Sequence, residues 1–173
     1  LADGSDSQHS VVKEICDSYA QKDPRIIYKK LEQNQGIVGN TNQCIEFASG
    51  EYLGLLDHDD ILHPSALYEV VKEIESGADF IFTDEMKFRN SIEESIDIVC
   101  KNDYGKDELR SHNYICHFVV FKSSLLKGMN RFYRLECEGS QDYDMVLRLT
   151  EKAEKIVHIP KILYYWRVHQ GSV

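Results

Sequence analysis

The plainest chemical potential in the chain lies in Leu55-Leu56-Asp57-His58-Asp59-Asp60, where acids close a short apolar run. Residues two apart on an extended chain face the same way, so Asp57 and Asp59 are placed to converge on one ligand. Carboxylates packed this closely repel unless a cation joins them, and hard divalent ions such as Mg²⁺ favour oxygen ligands. The simpler alternative is a solvated acidic turn capping the helix that follows. A second candidate is Glu138-Gly139-Ser140-Gln141-Asp142-Tyr143-Asp144. There Asp142 suits the first turn of a helix, where the macrodipole favours an acid. The same carboxylate could act as a general base, since Gly139-Ser140 leave room for a hydroxyl to approach. His169 ends the run Tyr164-Tyr165-Trp166-Arg167-Val168. Beside a carboxylate site it would complete a mixed oxygen and nitrogen shell. Ala2-Asp3-Gly4-Ser5-Asp6 is weaker taken alone. It reads as helix-capping material, although Gly4 would permit close backbone approach to a ligand.

These residues need elements to hold them, and the periodicity alternates between helix and strand. Helical spacing over 7–22 ends at Pro24, and a short strand is expected over 25–29. A polar turn at Asn34-Gln35-Gly36 leads into a second helix capped near Gly50. Residues 52–56 lack alternation, as a central strand covered on both faces would. Leu67, Val70, Val71 and Ile74 mark a third helix that begins at Pro64 and ends at Gly77. A strand follows over 79–83, then a polar loop over 87–106 with an edge strand over 96–100. A further strand over 114–122, a helix over 141–155 and two late strands, 156–159 and 162–168, complete the pattern. Strands interleaved with helices imply a mostly parallel sheet, and such sheets bind ligands beyond their strands' carboxyl ends.

Composition narrows the function classes. The chain has 173 residues, 20 Lys plus Arg against 29 Asp plus Glu, and a formal net charge of -9. A nucleic-acid or anionic-membrane binder needs a basic face, so no nucleic-acid partner is expected. An acidic protein can still bind phosphate where a metal mediates. The five cysteines are scattered without a C-x-x-C pair, which fits free thiols in a reducing compartment. No apolar stretch approaches the roughly 20 residues of a bilayer span, and no signal peptide is expected within these residues. The sequence opens on Leu1-Ala2 without an initiating Met, as a piece of a longer protein would.

Assembled in order, these segments resemble the family-2 glycosyltransferases of the GT-A fold. The resemblance rests on Ala2-Asp3-Gly4-Ser5, Asn34-Gln35-Gly36 with Asn42, Ala48-Ser49-Gly50-Glu51-Tyr52 and Leu56-Asp57-His58-Asp59-Asp60. It continues through Thr83-Asp84-Glu85, Gly139-Ser140-Gln141-Asp142 and Tyr165-Trp166-Arg167-Val168-His169. It implies a three-layer α/β/α sandwich with a mostly parallel central sheet, forming one catalytic domain over 1–173 that lacks its first strand. It further implies metal-dependent, inverting transfer from a UDP- or dTDP-sugar to a glycan or lipid-linked acceptor, as in bacterial surface-polysaccharide or rhamnosyl-type transferases. On the matching positions, Asp3 would hold the nucleotide base and Asp57 the ribose or sugar. Asp59 and His169 would ligate Mn²⁺ or Mg²⁺, and Asp142 would be the base. Asp84 and Glu85 would line the donor-sugar or acceptor side. The setting implied is cytoplasmic, with membrane association through other parts of the parent protein and with homo-oligomerisation left open.

Some positions depart from the pattern. Ala2 stands where relatives often carry Asp, Gln141 where Glu is common, and Asn102 and Tyr104 where Pro and Trp are frequent. The Gln-x-x-Arg-Trp signature of processive synthases is absent, so transfer of one or a few sugars is expected. Two other classes remain as rivals. One is a module that binds a nucleotide or glycan without catalysis. The other is a phosphatase of the haloacid-dehalogenase type with Asp57 as nucleophile, for which Asp84-Glu85 come too soon.

Overall fold

The computed structural model describes residues 1–169 and divides the chain into two compact units. The first comprises 1–49 with 129–141, and the second 50–128 with 142–173.

In the first unit β1 (Ala2–Asp3) runs parallel to β2 (Lys29–Lys30). The strand expected over 25–29 is thus only two residues long and begins later, because only Lys29 and Lys30 find a partner across the ladder. Helix α1 (Ser10–Lys22) buries none of its residues, and Val11, Ile15 and Tyr19 stay more than half exposed. Leu1, Ile15, Cys16, Tyr19, Ile26 and Ile27 line an apolar groove of about 440 Å³. Gly36, at φ +69°, makes the left-handed turn into α2 (Gly36–Glu46) that a side chain would resist. Asn34 Oδ1 accepts the Gly36 N–H at 3.0 Å and the Asn40 side-chain N–H at 2.9 Å, which fixes the turn. Asn42 exchanges two hydrogen bonds with the Tyr133 backbone, at 2.8 and 3.0 Å, and so ties 129–141 to α2.

The second unit is built on a six-stranded sheet. Its strands are β3 (Tyr52–Gly54), β4 (Ile61–Leu62), β5 (Phe80–Phe88), β6 (Ser95–Val99), β7 (Val119–Lys122) and β8 (Ile156–Arg167). The spatial order is β3-β7-β5-β8-β4, and β6 lies against the far half of β5. Only β5 and β8 pair parallel in this sheet, so it is mixed where a mostly parallel one was expected. The short β5–β6 connection shows why, since a parallel return needs a crossover of a dozen residues or more. The run at 52–56 was expected at the sheet's centre, yet β3 is an edge strand with a single partner.

Helix α3 (Ala66–Glu75) packs Ala66 and Val70 against Ile81, Val120, Ile159, Leu163 and Tyr164. Leu67 and Val71, expected on that face, are 63% and 47% exposed, so the buried stripe is rotated by about one position. On the other face of β5, Phe82 stacks on His158 with ring centroids 4.8 Å apart. Helices α4 (Lys106–Ser111) and α5 (Gln141–Thr150) contribute Leu109, Met145, Val146 and Leu149 to the core. Helix α5 stops five residues short of expectation. Asp79 Oδ2 accepts the N–H groups of Glu154 and Lys155 at 3.0 and 3.1 Å, drawing the chain out of the helix.

Two strands are longer than the pattern suggested. β5 runs through Asp84 and Glu85 to Phe88. β8 passes Pro160-Lys161 without ending, because the register steps from Thr83↔Ile159 to Asp84↔Ile162. Proline cannot donate to a ladder, so the bulge leaves it unpaired and the strand continues.

Candidate active site

The acidic turn lies between β3 and β4, and the far end of β8 holds it in place. The Tyr164 hydroxyl donates to Asp60 Oδ2 at 2.5 Å and accepts the Asp57 N–H at 3.3 Å. The Arg167 N–H donates to Asp60 Oδ1 at 2.7 Å, and Arg167 Nε donates to the Asp59 carbonyl at 2.7 Å. Both Asp60 oxygens are therefore engaged by β8. The same clamp brings His169 to the turn, with its Nε2 3.0 Å from Asp59 Oδ2. Asp59 and His169, 110 residues apart in sequence, meet at the turn. Asp57 lies beside them. Burial pushes its carboxyl above the ordinary range; the His117 charge opposes this, and the charges of Asp60, Asp142 and Asp59 add to it.

The Asp59 and His169 pair offers one carboxylate oxygen and one imidazole nitrogen. Among the described residues, no group of three His, Cys, Asp or Glu is placed to hold a metal ion. Those two atoms could serve a divalent ion as ligands only if the others came from outside the protein, as with Mg²⁺, which usually keeps several waters.

Asp142 sits in the first turn of α5 with Asp144. Asp144 pairs with Arg148 one turn later, at 2.6 Å. Asp142 is near enough to Asp57 to act on its charge state, which puts the two acids in one electrostatic site. Cys116 is part of the same neighbourhood. Burial, with Glu85 and Asp142 next, pushes its thiol up to about 12, so it is no nucleophile at neutral pH.

Asp84 and Glu85 occupy the middle of β5 and are only 5% and 3% exposed. Asp84 Oδ1 accepts the Lys101 N–H at 2.9 Å and lies 2.8 Å from His158 Nε2. Glu85 Oε2 accepts Lys101 Nζ at 3.0 Å and the His117 N–H at 3.2 Å. Lys101 Nζ also donates to the His117 carbonyl. Above this network the His117 ring stacks on Tyr164 at 5.0 Å and meets Trp166 edge-on at 5.1 Å. Sequence reasoning assigned no role to Asp60, Tyr164, Arg167, Lys101, His117 or His158. Only Asp60 carried a signal, as the third acid of its cluster.

Asp3 belongs to the first unit and is 8% exposed. Its carboxylate accepts the Ser5 N–H at 2.8 Å and the Tyr28 hydroxyl at 2.7 Å, with Lys30 Nζ 3.2 Å away. Burial alone would raise this carboxyl, but the bonds from Ser5, Tyr28 and Lys30 together hold it well below the usual carboxylate range.

The chain is 40% identical to the uncharacterized protein y4gI of Sinorhizobium fredii, over 99% of this chain and 19% of that one. It is 29% identical to the O-antigen biosynthesis protein RfbC of Myxococcus xanthus, over 98% of this chain and 13% of that one. The chain thus spans a minor part of either relative. The crystal structure of S. aureus TarS 1-349 in complex with UDP-GlcNAc superposes with a TM-score of 0.78 at 17% identity, over 99% of this chain and 49% of that one. That likeness establishes the GT-A fold. The sequence profile of glycosyl transferase family 2 matches residues 2–127, and the chain belongs to that family.

Proposed function

We propose that the protein carries out metal-dependent transfer of a sugar from a UDP- or dTDP-sugar to a glycan or lipid-linked acceptor hydroxyl, with inversion. The observation that carries this reading is the meeting of Asp59 and His169 at 3.0 Å beside Asp57, within electrostatic reach of Asp142. The O-antigen biosynthesis protein among the relatives supports a place in bacterial surface-polysaccharide assembly, and a cytoplasmic setting goes with this reading. Among the described residues, no helix is long and apolar enough to cross a membrane.

In this reading Asp57 binds the ribose or sugar of the donor, and Asp59 and His169 hold Mn²⁺ or Mg²⁺. The bound ion supplies positive charge against the negative charge that builds on the departing diphosphate. Asp142 accepts the proton of the acceptor hydroxyl. The acceptor oxygen then bonds to the anomeric carbon as the bond to the diphosphate oxygen breaks on the opposite face. That single displacement inverts the centre and releases a nucleoside diphosphate. The absence of a Gln-x-x-Arg-Trp signature favours transfer of one or a few sugars over processive polymerisation.

Calorimetric titration with UDP, and separately dTDP, in the presence and absence of Mn²⁺ tests the reading. Binding should require the metal and weaken by about tenfold or more in Asp59→Ala. No metal-dependent heat with either nucleotide would overturn the reading in favour of a module without transfer chemistry.

A further inference from the structure

We propose that the Tyr164 hydroxyl is a positioning group that sets the shape of the acidic turn for nucleotide binding, an inference that rests on the function proposed above. One oxygen reaches both ends of the turn. It accepts the backbone N–H of the first acid, Asp57, and donates to the side chain of the fourth residue, Asp60. The two acids assigned to the ligand therefore sit on a segment whose ends are anchored to a single atom.

That atom belongs to a packed residue. Tyr164 is fully buried, and its ring stacks on His117 at 5.0 Å and on Phe118 at 6.0 Å. The ring also belongs to the core cluster of Ile81, Val120 and Leu163. The hydroxyl's place is thus fixed by the packed sheet rather than by the loop it holds. The short O–H···O⁻ contact to Asp60 is of the strong, charge-assisted kind. With Arg167 taking the other oxygen, Asp60 orients the turn and leaves ligand chemistry to Asp57 and Asp59. Displacing a binding group by about 1 Å can cost orders of magnitude in function, so a rigid anchor matters here.

Tyr164→Phe removes the hydroxyl and keeps the ring, which makes it a clean probe. The measurements are calorimetric dissociation constants for UDP with Mn²⁺ in wild type, Tyr164→Phe, Asp60→Asn and the double variant. Tyr165→Phe, which deletes a hydroxyl from the other face of β8, is the control. Thermal melting is read in parallel. Tyr164→Phe and Asp60→Asn should each weaken UDP about tenfold, and the double variant should be no more than about twofold weaker than either. Tyr165→Phe should bind as wild type does. A hydroxyl of merely structural worth would lower the melting temperature and leave the dissociation constant unchanged, and that result overturns the inference. Independent, multiplicative effects of the two substitutions overturn it as well. If Tyr164→Phe lacks a native near-ultraviolet dichroism spectrum, Asp60→Asn alone decides, and wild-type affinity there refutes the anchor. Failure of wild type to bind UDP or dTDP overturns the proposed function instead.

Discussion

Lys101→Met removes a charge from the least hydrated ion pair in the second unit. The Lys101 and Glu85 side chains are 1% and 4% exposed, and their charged atoms lie 3.0 Å apart. Methionine nearly matches the volume of lysine, so the substitution opens little cavity and its cost is electrostatic. Glu85 would keep only the His117 N–H, at 3.2 Å, and the His117 carbonyl would lose the ammonium group. Removing one member of a buried pair costs about 3–5 kcal/mol, because the remaining charge is left uncompensated. For a chain of this size that corresponds to a fall of about 6–20 °C in melting temperature. Adding Glu85→Gln to Lys101→Met should recover about 1–3 kcal/mol, since the neutral amide keeps an acceptor for the His117 N–H while deleting the stranded charge. Urea unfolding followed by circular dichroism measures all four corners of this cycle. A Lys101→Met protein that melts within about 2 °C of wild type would refute the argument. So would a double variant that is less stable than the single one.

Two further outcomes follow from the same structure. Asp142→Asn should lower turnover by about 10²–10⁴-fold while leaving metal-dependent UDP affinity within about threefold of wild type, as initial rates and calorimetry would show. Asp3 holds its proton far less tightly when folded than when unfolded, where its value is about 3.9. Its stabilising contribution is therefore complete above about pH 5 and is lost as pH falls below 4 toward the folded value. Asp3→Asn should flatten that acid limb, read as the urea midpoint of wild type and variant between pH 6 and pH 3.

The parts of the site legible in the sequence are those whose information is local. Asp57, Asp59 and Asp60 announce themselves by adjacency, and Asp142 by its place ahead of an apolar helical stripe. What positions them is not local. Tyr164 and Arg167 reach the acidic turn from more than 100 residues away, and the sequence gives no register for β8. Pro160 made that strand look like two, because a residue without an N–H ordinarily ends a central strand. β5 was cut short at Thr83 for a related reason. Asp and Glu are almost never fully buried unless paired, and their partners Lys101 and His158 lie outside any window that reads the strand.

Counter-charges sort the acids of this protein into two kinds. Asp84 has His158 within 2.8 Å, and Glu85 has Lys101 within 3.0 Å, so the chain supplies the opposing cation itself. Asp60 is satisfied by Tyr164 and by the Arg167 backbone. Asp59 is different, because its carboxylate meets an imidazole whose other surroundings are half open to solvent, with His169 50% exposed. The net charge of -9 therefore does not describe one acidic surface. Asp84 and Glu85 are paired inside the sheet, with His158 of β8 and with Lys101. Asp57 and Asp59, at the turn between β3 and β4, stand outside those internal pairs, and in the function proposed above a divalent ion carrying a nucleotide would bind there.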